Sequence, residues 1–164
     1  MNTLTSSLEF SHFPVMLSEI IQIASPEKGG LFIDCTFGGG SYSNALLKFP
    51  KTKVIGIDRD EAVISRANEL QKKYQKRFKF YQIKFSELDK ILNKNADTII
   101  FDLGLSSIQL KNLNRGFSFK SKNKLDMAMG LNNISAQEAI NNLSEKHLKL
   151  IIKILGEETE ASNI

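Results

Sequence analysis

Short apolar runs alternate with helical segments over roughly the first hundred residues of the chain. Four such runs are typical of strands buried on both faces. They cover residues 31–34, 53–57, 78–83 and 97–102. Between the second and third runs, apolar residues recur from Val63 to Tyr74 at the spacing of one helical face, and Asp60 is placed to cap that helix. A shorter helix is predicted at 86–92. Alternating strands and helices predict an α/β fold with a parallel sheet.

The pattern changes after the fourth run. Residues 104–134 are rich in Gly, Ser, Asn and Lys and lack strand alternation. Ser135 and Glu138 then form a capping box, which predicts one helix, and a second helix is predicted at 144–155 with Gly156 ending it. We therefore expect an α/β core followed by a helical insertion. The division is 1–110 for the core and 111–164 for the insertion.

Composition narrows the class of protein. Hydrophobic residues make up 41% and charged residues 24% of the 164 residues, which excludes a disordered chain and a collagen-like repeat. The single Cys35 cannot form an internal disulfide, which favours a reducing cytosol. No run approaches the length of a membrane span, so we expect a cytoplasmic protein without membrane contact. His12 and His147 lie far apart, and we expect no metal site.

A glycine turn follows the first predicted strand, with Gly38, Gly39 and Gly40 in succession. Glycine lets backbone approach a ligand closely, and the helix behind the turn presents free N–H groups. Asp58 ends the second strand 20 residues after Gly38. An acid there is placed to accept hydrogen bonds from ribose hydroxyls. The combination favours a nucleotide site over the alternative of a plain turn followed by a capping acid.

The identity of the nucleotide is narrowed by the third position of the glycine motif. That position holds Ser43 rather than glycine, which disfavours NAD and FAD. S-adenosylmethionine (SAM) has no pyrophosphate, and it offers a ribose to Asp58 and an ammonium to Asp34 or nearby carbonyl groups. Asp102 ends the fourth run and is expected to share the crevice with Asp34 and Asp58. The alternative is that Asp102 only caps the next turn.

The segment from Leu103 to Leu125 contains five basic residues and no acidic one. Phe117 and Phe119 lie among these bases, a combination that suits a splayed RNA nucleotide. The alternative is an exposed loop that binds nothing. The basic residues are Lys111, Arg115, Lys120, Lys122 and Lys124.

Two stretches of the chain are highly specific: D-L-G-x-S-S-x-Q, from Asp102 to Gln109, and R-G-F-S-F, from Arg115 to Phe119. Together they resemble the bacterial 16S rRNA (cytosine-N4)-methyltransferases, the RsmH/MraW family. Further similar stretches begin at His12 (HFPVMLSE), Asp34 (DCTFGGGSYS), Leu125 (LDMAM) and Gly156 (GEE). The resemblance runs from about residue 12 to the end of the chain.

This resemblance implies a Rossmann-like SAM-dependent methyltransferase core that methylates a cytosine N4 amine in the decoding region of 16S rRNA, in the small ribosomal subunit. Asp102, or a carbonyl of the loop that follows it, is our candidate for the acceptor of the N4 proton. Three positions depart from the family pattern: Ser41 replaces a glycine, Ile108 a proline and Ala128 an arginine. The SAM contacts implied by the family are Gly40, Ser41, Tyr42, Asp58, Phe85, Asp102 and Gln109.

The core predicted from this chain is incomplete. A parallel sheet of this kind expects further strands beside the fourth, and family members continue past Gly156-Glu157-Glu158. We therefore expect the chain to be the N-terminal portion of an enzyme, with weak or no methyl transfer and a tendency to self-associate. Two alternatives stay open: a methyltransferase for another substrate, and a non-catalytic SAM- or RNA-binding fragment.

Overall fold

The computed structural model describes residues 14–93, 95–132 and 134–164. His12, where one of the family-like stretches begins, lies outside the described residues. The chain divides into two compact units, Met1–Ile108 and Gln109–Ile164. No helix in the described part of the chain is long and apolar enough to cross a membrane.

The first unit is built on a four-stranded parallel sheet in the order β3-β2-β1-β4. The four strands fall on the four apolar runs, so the predicted α/β fold with a parallel sheet is confirmed. They are β1 (Gly30–Asp34), β2 (Thr52–Asp58), β3 (Phe78–Gln82) and β4 (Thr98–Ile100).

The fourth strand is shorter than the apolar run predicts. The Cys35 N–H still donates to the Ile100 carbonyl at 2.9 Å, but the Asp102 N–H donates to the side-chain oxygen Oγ1 of Thr36 at 2.8 Å. A side-chain acceptor thus replaces a backbone acceptor just beyond β4, where the regular ladder ends. The prediction that Asp102 ends the fourth strand was wrong by two residues.

Three α-helices accompany this sheet: α1 (Leu17–Ala24), α2 (Ser41–Leu47) and α3 (Ile64–Tyr74). The Asp60 side chain accepts a hydrogen bond from the Ala62 N–H at 3.1 Å and caps the 3₁₀ turn that leads into α3, as predicted. The helix predicted at 86–92 is a 3₁₀ helix instead, Phe85–Lys90, with a break in helical backbone angles at Glu87.

Apolar side chains cover both faces of the sheet, as a parallel sheet requires. One face carries Phe32, Val54 and Phe78, which pack with side chains of α2 and α3. The other carries Ile33 and Ile57, which pack against residues 83–92 and Ala96. The core therefore holds the strands from both sides. The loops that follow the carboxyl ends of the strands lie outside this packing and can form a ligand site.

The second unit contains short helices and a long loop. Helix α4 (Ser107–Lys111) includes the boundary between the units, and α5 (Ala136–Asn142) and α6 (Glu145–Leu155) follow the loop. The capping box predicted at Ser135 is confirmed, since Ser135 Oγ accepts from the Glu138 N–H at 3.1 Å and the Ser135 N–H donates to Glu138 at 2.8 Å.

Candidate cofactor site at the carboxyl ends of the strands

The glycine turn and the acid of β2 are joined directly. The Gly38 N–H donates to Asp58 Oδ2 at 2.8 Å, and the Asp60 N–H donates to Asp58 Oδ1 at 2.9 Å. Burial raises the pKa of Asp58, while the hydrogen bonds from Asp60 and Gly38 act in the opposite direction. Each carboxylate oxygen keeps a further lone pair, so Asp58 can still accept hydrogen bonds from a ligand hydroxyl.

The turn rests on the ring of Phe37. A Cβ atom at Gly40 would lie 2.6 Å from Cζ of Phe37, and one at Gly56 would lie 2.8 Å from Cδ2 of the same ring. Gly40 also has a φ of 73°, a backbone conformation that favours glycine. A Cβ at Gly39 would meet nothing within 4 Å. The turn is thus packed on its inner side and open on the side where a ligand would approach.

Asp34 lies at the end of β1 and is fully buried. Ser43 Oγ donates to Asp34 Oδ2 at 2.7 Å, whereas Oδ1 has no hydrogen-bond partner among the described residues. Burial raises the pKa of Asp34 to about 6, and the hydrogen bonds from Ser43 and from the Thr36 backbone oppose this shift. An unsatisfied buried carboxylate oxygen is costly, which is a reason to expect a donor from a ligand at this point.

Tyr42 is buried at the start of α2 rather than open to the crevice. Its hydroxyl donates a hydrogen bond to the Val15 carbonyl. Burial, followed by the nearby Asp102 carboxylate, raises the pKa of Tyr42 to about 12. Tyr42 therefore remains protonated at neutral pH and links the backbone before α1 to the neighbourhood of Asp102. Ser41, the first residue of α2, is only partly buried.

Phe85 and Phe101 meet where the outer strands end. Their ring centroids are 5.5 Å apart with an interplanar angle of 86°. Asp102, which follows Phe101, is exposed, and the Thr36 hydroxyl holds its backbone. Phe101 and Thr36 were not predicted from the sequence. An apolar residue at the end of an apolar run carries no signal that its side chain is exposed, and no pattern reveals that the Thr36 hydroxyl accepts the Asp102 N–H.

The structure places six of the seven predicted SAM contacts in the first unit, at the carboxyl side of the sheet. Gln109, the seventh, is buried in α4 and belongs to the second unit. The six are Gly40, Ser41, Tyr42, Asp58, Phe85 and Asp102.

The five basic residues of the segment from Leu103 to Leu125, called the basic loop here, all lie in the second unit, beyond Ile108. The Arg115 guanidinium lies 5.3 Å from the centroid of the Phe117 ring and donates to the Ala128 carbonyl at 2.7 Å. Phe119 is fully exposed, and Lys120, Lys122 and Lys124 are exposed. The loop therefore combines an internally braced arginine with exposed cations and an exposed aromatic ring.

A parallel sheet in this strand order, with a glycine turn after β1 and an acid at the end of β2, defines a Rossmann-like core of the kind found in methyltransferases. A solved structure of a proposed rRNA methylase from Clostridium thermocellum shares the fold with a TM-score of 0.50 at 17% identity, over 58% of this chain and 54% of that one. The chain belongs to the MraW methylase family, whose model matches residues 9–164.

Two curated relatives illustrate the family. The ribosomal RNA small subunit methyltransferase H of Rickettsia massiliae (strain Mtu5) is 43% identical over 155 residues, which are 94% of this chain and 50% of the relative. The protein of the same name from Orientia tsutsugamushi (strain Boryong) is also 43% identical, over 93% of this chain and 50% of the relative. The chain thus spans about half the length of the curated relatives it matches.

Proposed function

We propose that the chain is the cofactor-binding part of a SAM-dependent methyltransferase that acts on the N4 amine of a cytosine in the decoding region of 16S rRNA. The observation that carries the proposal is the bond between Gly38 and Asp58, which joins a ligand-accessible glycine turn to a ribose-binding acid. Membership of a methylase family supports methyl transfer as the reaction.

The residues of the first unit suit the parts of SAM. Asp58 accepts hydrogen bonds from the two ribose hydroxyls, and the half-exposed ring of Phe85 provides an apolar surface for adenine. The unpartnered Oδ1 of Asp34 accepts a hydrogen bond from the methionine ammonium, directly or through a water. The backbone of Gly40 and Ser41, at the start of α2, faces the methionine carboxylate.

Methyl transfer to an exocyclic amine requires alignment and the removal of a proton. Bound SAM supplies the methyl group as an electrophile. The chain holds the donor in place, and alignment of this kind contributes several kcal/mol to catalysis. The exposed carboxylate of Asp102, fixed through its backbone to Thr36, accepts the proton that the N4 amine loses.

The second unit supplies the contact to RNA in this proposal. Lysines between Leu113 and Leu125 neutralise phosphates, and the exposed ring of Phe119 stacks on an unpaired base. The names of the two relatives place small-subunit rRNA as their substrate, and the proposal extends that substrate class to this chain. The choice of cytosine rests on the family resemblance of the stretch from Asp102 to Gln109.

The first test is cofactor binding by titration calorimetry with SAM, S-adenosylhomocysteine and NAD. We expect the two adenosyl compounds to bind and NAD not to bind. Tritiated SAM is then incubated with small subunits that lack the modification, and with free cytidine as a second substrate. We expect the label only in N4-methylcytidine from the subunits, at a low rate that Asp102→Asn abolishes and the exposed control Asp89→Asn leaves unchanged.

The other outcomes separate the alternatives. Label in a different nucleoside would replace the proposed substrate with another one. SAM binding without any label would favour a non-catalytic SAM-binding fragment. Absence of SAM binding would refute the assignment of the site itself.

A further inference from the structure

The contact between Phe85 and Phe101 joins the chain segments that follow the two outer strands of the sheet. Phe85 begins the 3₁₀ helix after β3, and Phe101 directly follows β4. Because β3 and β4 are the two outer strands, the two rings bring together connections that flank the central strands β1 and β2. Asp58 ends one of these central strands, so the ring pair and the acid both lie at the carboxyl-terminal ends of the strands.

Both rings are incompletely buried. The exposed fraction is 45% for Phe85 and 49% for Phe101, although each contacts the other. Burying an aromatic ring is strongly favourable, so two adjacent half-exposed rings form a surface that binds flat apolar partners well. An edge-to-face pair presents one ring face and one ring edge, which is a suitable corner for a purine.

We propose that Phe101 is a second aromatic contact for the adenine base, acting together with Phe85. The inference rests on the proposed SAM site and adds to it a residue that the sequence motifs do not include. The Asp102 N–H donates to Thr36 Oγ1 at 2.8 Å, which holds the backbone directly after Phe101. Asp58 binds the ribose and the two rings bind the base, so the chain recognises adenosine at both of its parts.

The alternative is that the Phe101 ring belongs to a different surface. Ile99 and Leu103 are also exposed, and together with Phe101 they form an apolar row along β4 and beyond it. If Phe101 belongs only to that row, its surroundings should not change when a small cofactor binds. The two interpretations therefore differ in whether the environment of the Phe101 side chain changes when SAM binds.

The chain contains no tryptophan, so a single tryptophan introduced at a chosen position reports on that position alone. In Phe101→Trp, we expect S-adenosylhomocysteine and adenosine to quench the fluorescence, because adenine stacks on the indole. Methionine should leave it unchanged. The control is Leu155→Trp, at an exposed position that ends α6 in the second unit and has no assigned role in binding, and its emission should not respond.

Affinity provides a second measurement. We expect Phe101→Ala to weaken binding of S-adenosylhomocysteine by roughly tenfold, as loss of one stacking contact does, with an unchanged melting temperature of the free chain. Phe101→Tyr, which keeps the ring, should bind as the unchanged chain does.

Calorimetric binding of S-adenosylhomocysteine to Phe101→Trp without a change in its emission would overturn the inference and leave the proposed function standing. A response of equal size in Leu155→Trp would also overturn it. If the unchanged chain binds no adenosyl compound, the proposed function fails, and the inference fails with it.

Discussion

The backbone N–H of Gly38 donates to the carboxylate of Asp58 at 2.8 Å, although the two residues are 20 positions apart in the sequence. This bond joins the turn after β1 to the tip of β2 without any ligand. The distance between the turn and the acid is therefore set by the fold, which lowers the ordering cost when a ligand binds.

Replacement of Asp58 by alanine should weaken SAM binding by at least about tenfold, because a hydrogen bond to a charged group contributes about 1.5–3 kcal/mol. Titration calorimetry measures the change. Asp89→Ala is the matched control, since Asp89 is exposed on the 3₁₀ helix Phe85–Lys90. Unchanged affinity in Asp58→Ala would show that the acid does not bind the cofactor.

The stability of the chain should depend on pH through Asp34. Its pKa is about 6 in the folded chain and near 3.8 when unfolded, so the folded state binds the proton more tightly. The stabilising contribution is complete below about pH 4 and is lost as the pH rises to about 6. Relative to Asp34→Asn, the free energy of unfolding of the unchanged chain should fall by on the order of 3 kcal/mol between pH 4 and 7.

Denaturant unfolding of both proteins at several pH values checks this expectation. Ser43→Ala removes a hydrogen bond that lowers the Asp34 pKa, so in that variant the loss of stability should continue to higher pH and should be larger. A difference between the unchanged chain and Asp34→Asn that stays constant over this range would contradict the assigned titration.

Binding of single-stranded RNA should weaken with salt in proportion to the phosphate contacts of the basic loop. Replacing Lys120, Lys122 and Lys124 with alanine should reduce the logarithmic salt slope by about 2, at about 0.7 per lost contact. SAM affinity should not change. Fluorescence anisotropy over a salt series measures the slope.

The matched control changes three exposed lysines of the first unit to alanine, namely Lys51, Lys72 and Lys76. That variant should keep the original slope. An equal loss of slope in both triple variants would mean that RNA contacts the chain through its general charge.

Self-association should begin at β4. Among the described residues this strand pairs only with β1, and Ile99 on it is 44% exposed. Open strand edges with apolar side chains promote association, and charged side chains oppose it. We expect Ile99→Lys to lower the sedimentation coefficient at high protein concentration.

Ile23→Lys is the control for this effect, because Ile23 is also an exposed isoleucine but lies on α1. It should associate as the unchanged chain does. If the unchanged chain is a monomer at all concentrations, the edge of β4 is not an association site.

The sequence predicted the strands well because each apolar run is bounded by polar or turn-forming residues. It overestimated β4 because Phe101 extends an apolar run, and no pattern reveals that the Thr36 hydroxyl takes the Asp102 N–H. The helix predicted at 86–92 carries apolar residues at helical spacing, but Glu87 departs from helical backbone angles. Periodicity reports which side chains are buried and does not separate an α-helix from a 3₁₀ helix.

For the candidate site, the structure adds contacts and burial that the sequence pattern does not encode. Asp58 and the glycine turn were predicted to act together, and the structure joins them by a hydrogen bond. The burial of Tyr42 and its bond to the Val15 carbonyl depend on tertiary packing, which spacing along the chain does not encode. The same is true of Asp34, whose raised pKa follows from burial.

The ring of Phe37 fills the space that a Cβ atom would need at Gly40 and also at Gly56. At Gly56 the backbone is ordinary and only the contact with the rings of Phe37 and Phe78 excludes a Cβ, whereas Gly40 is restricted by its φ as well. A smaller residue at position 37 would remove the closest contact of an alanine at 56 and leave only a small shift of the Phe78 ring, 3.1 Å away, to accommodate it, but it would not free position 40. Mutational libraries that vary 37 and 56 as a pair should yield folded proteins that single-site libraries miss.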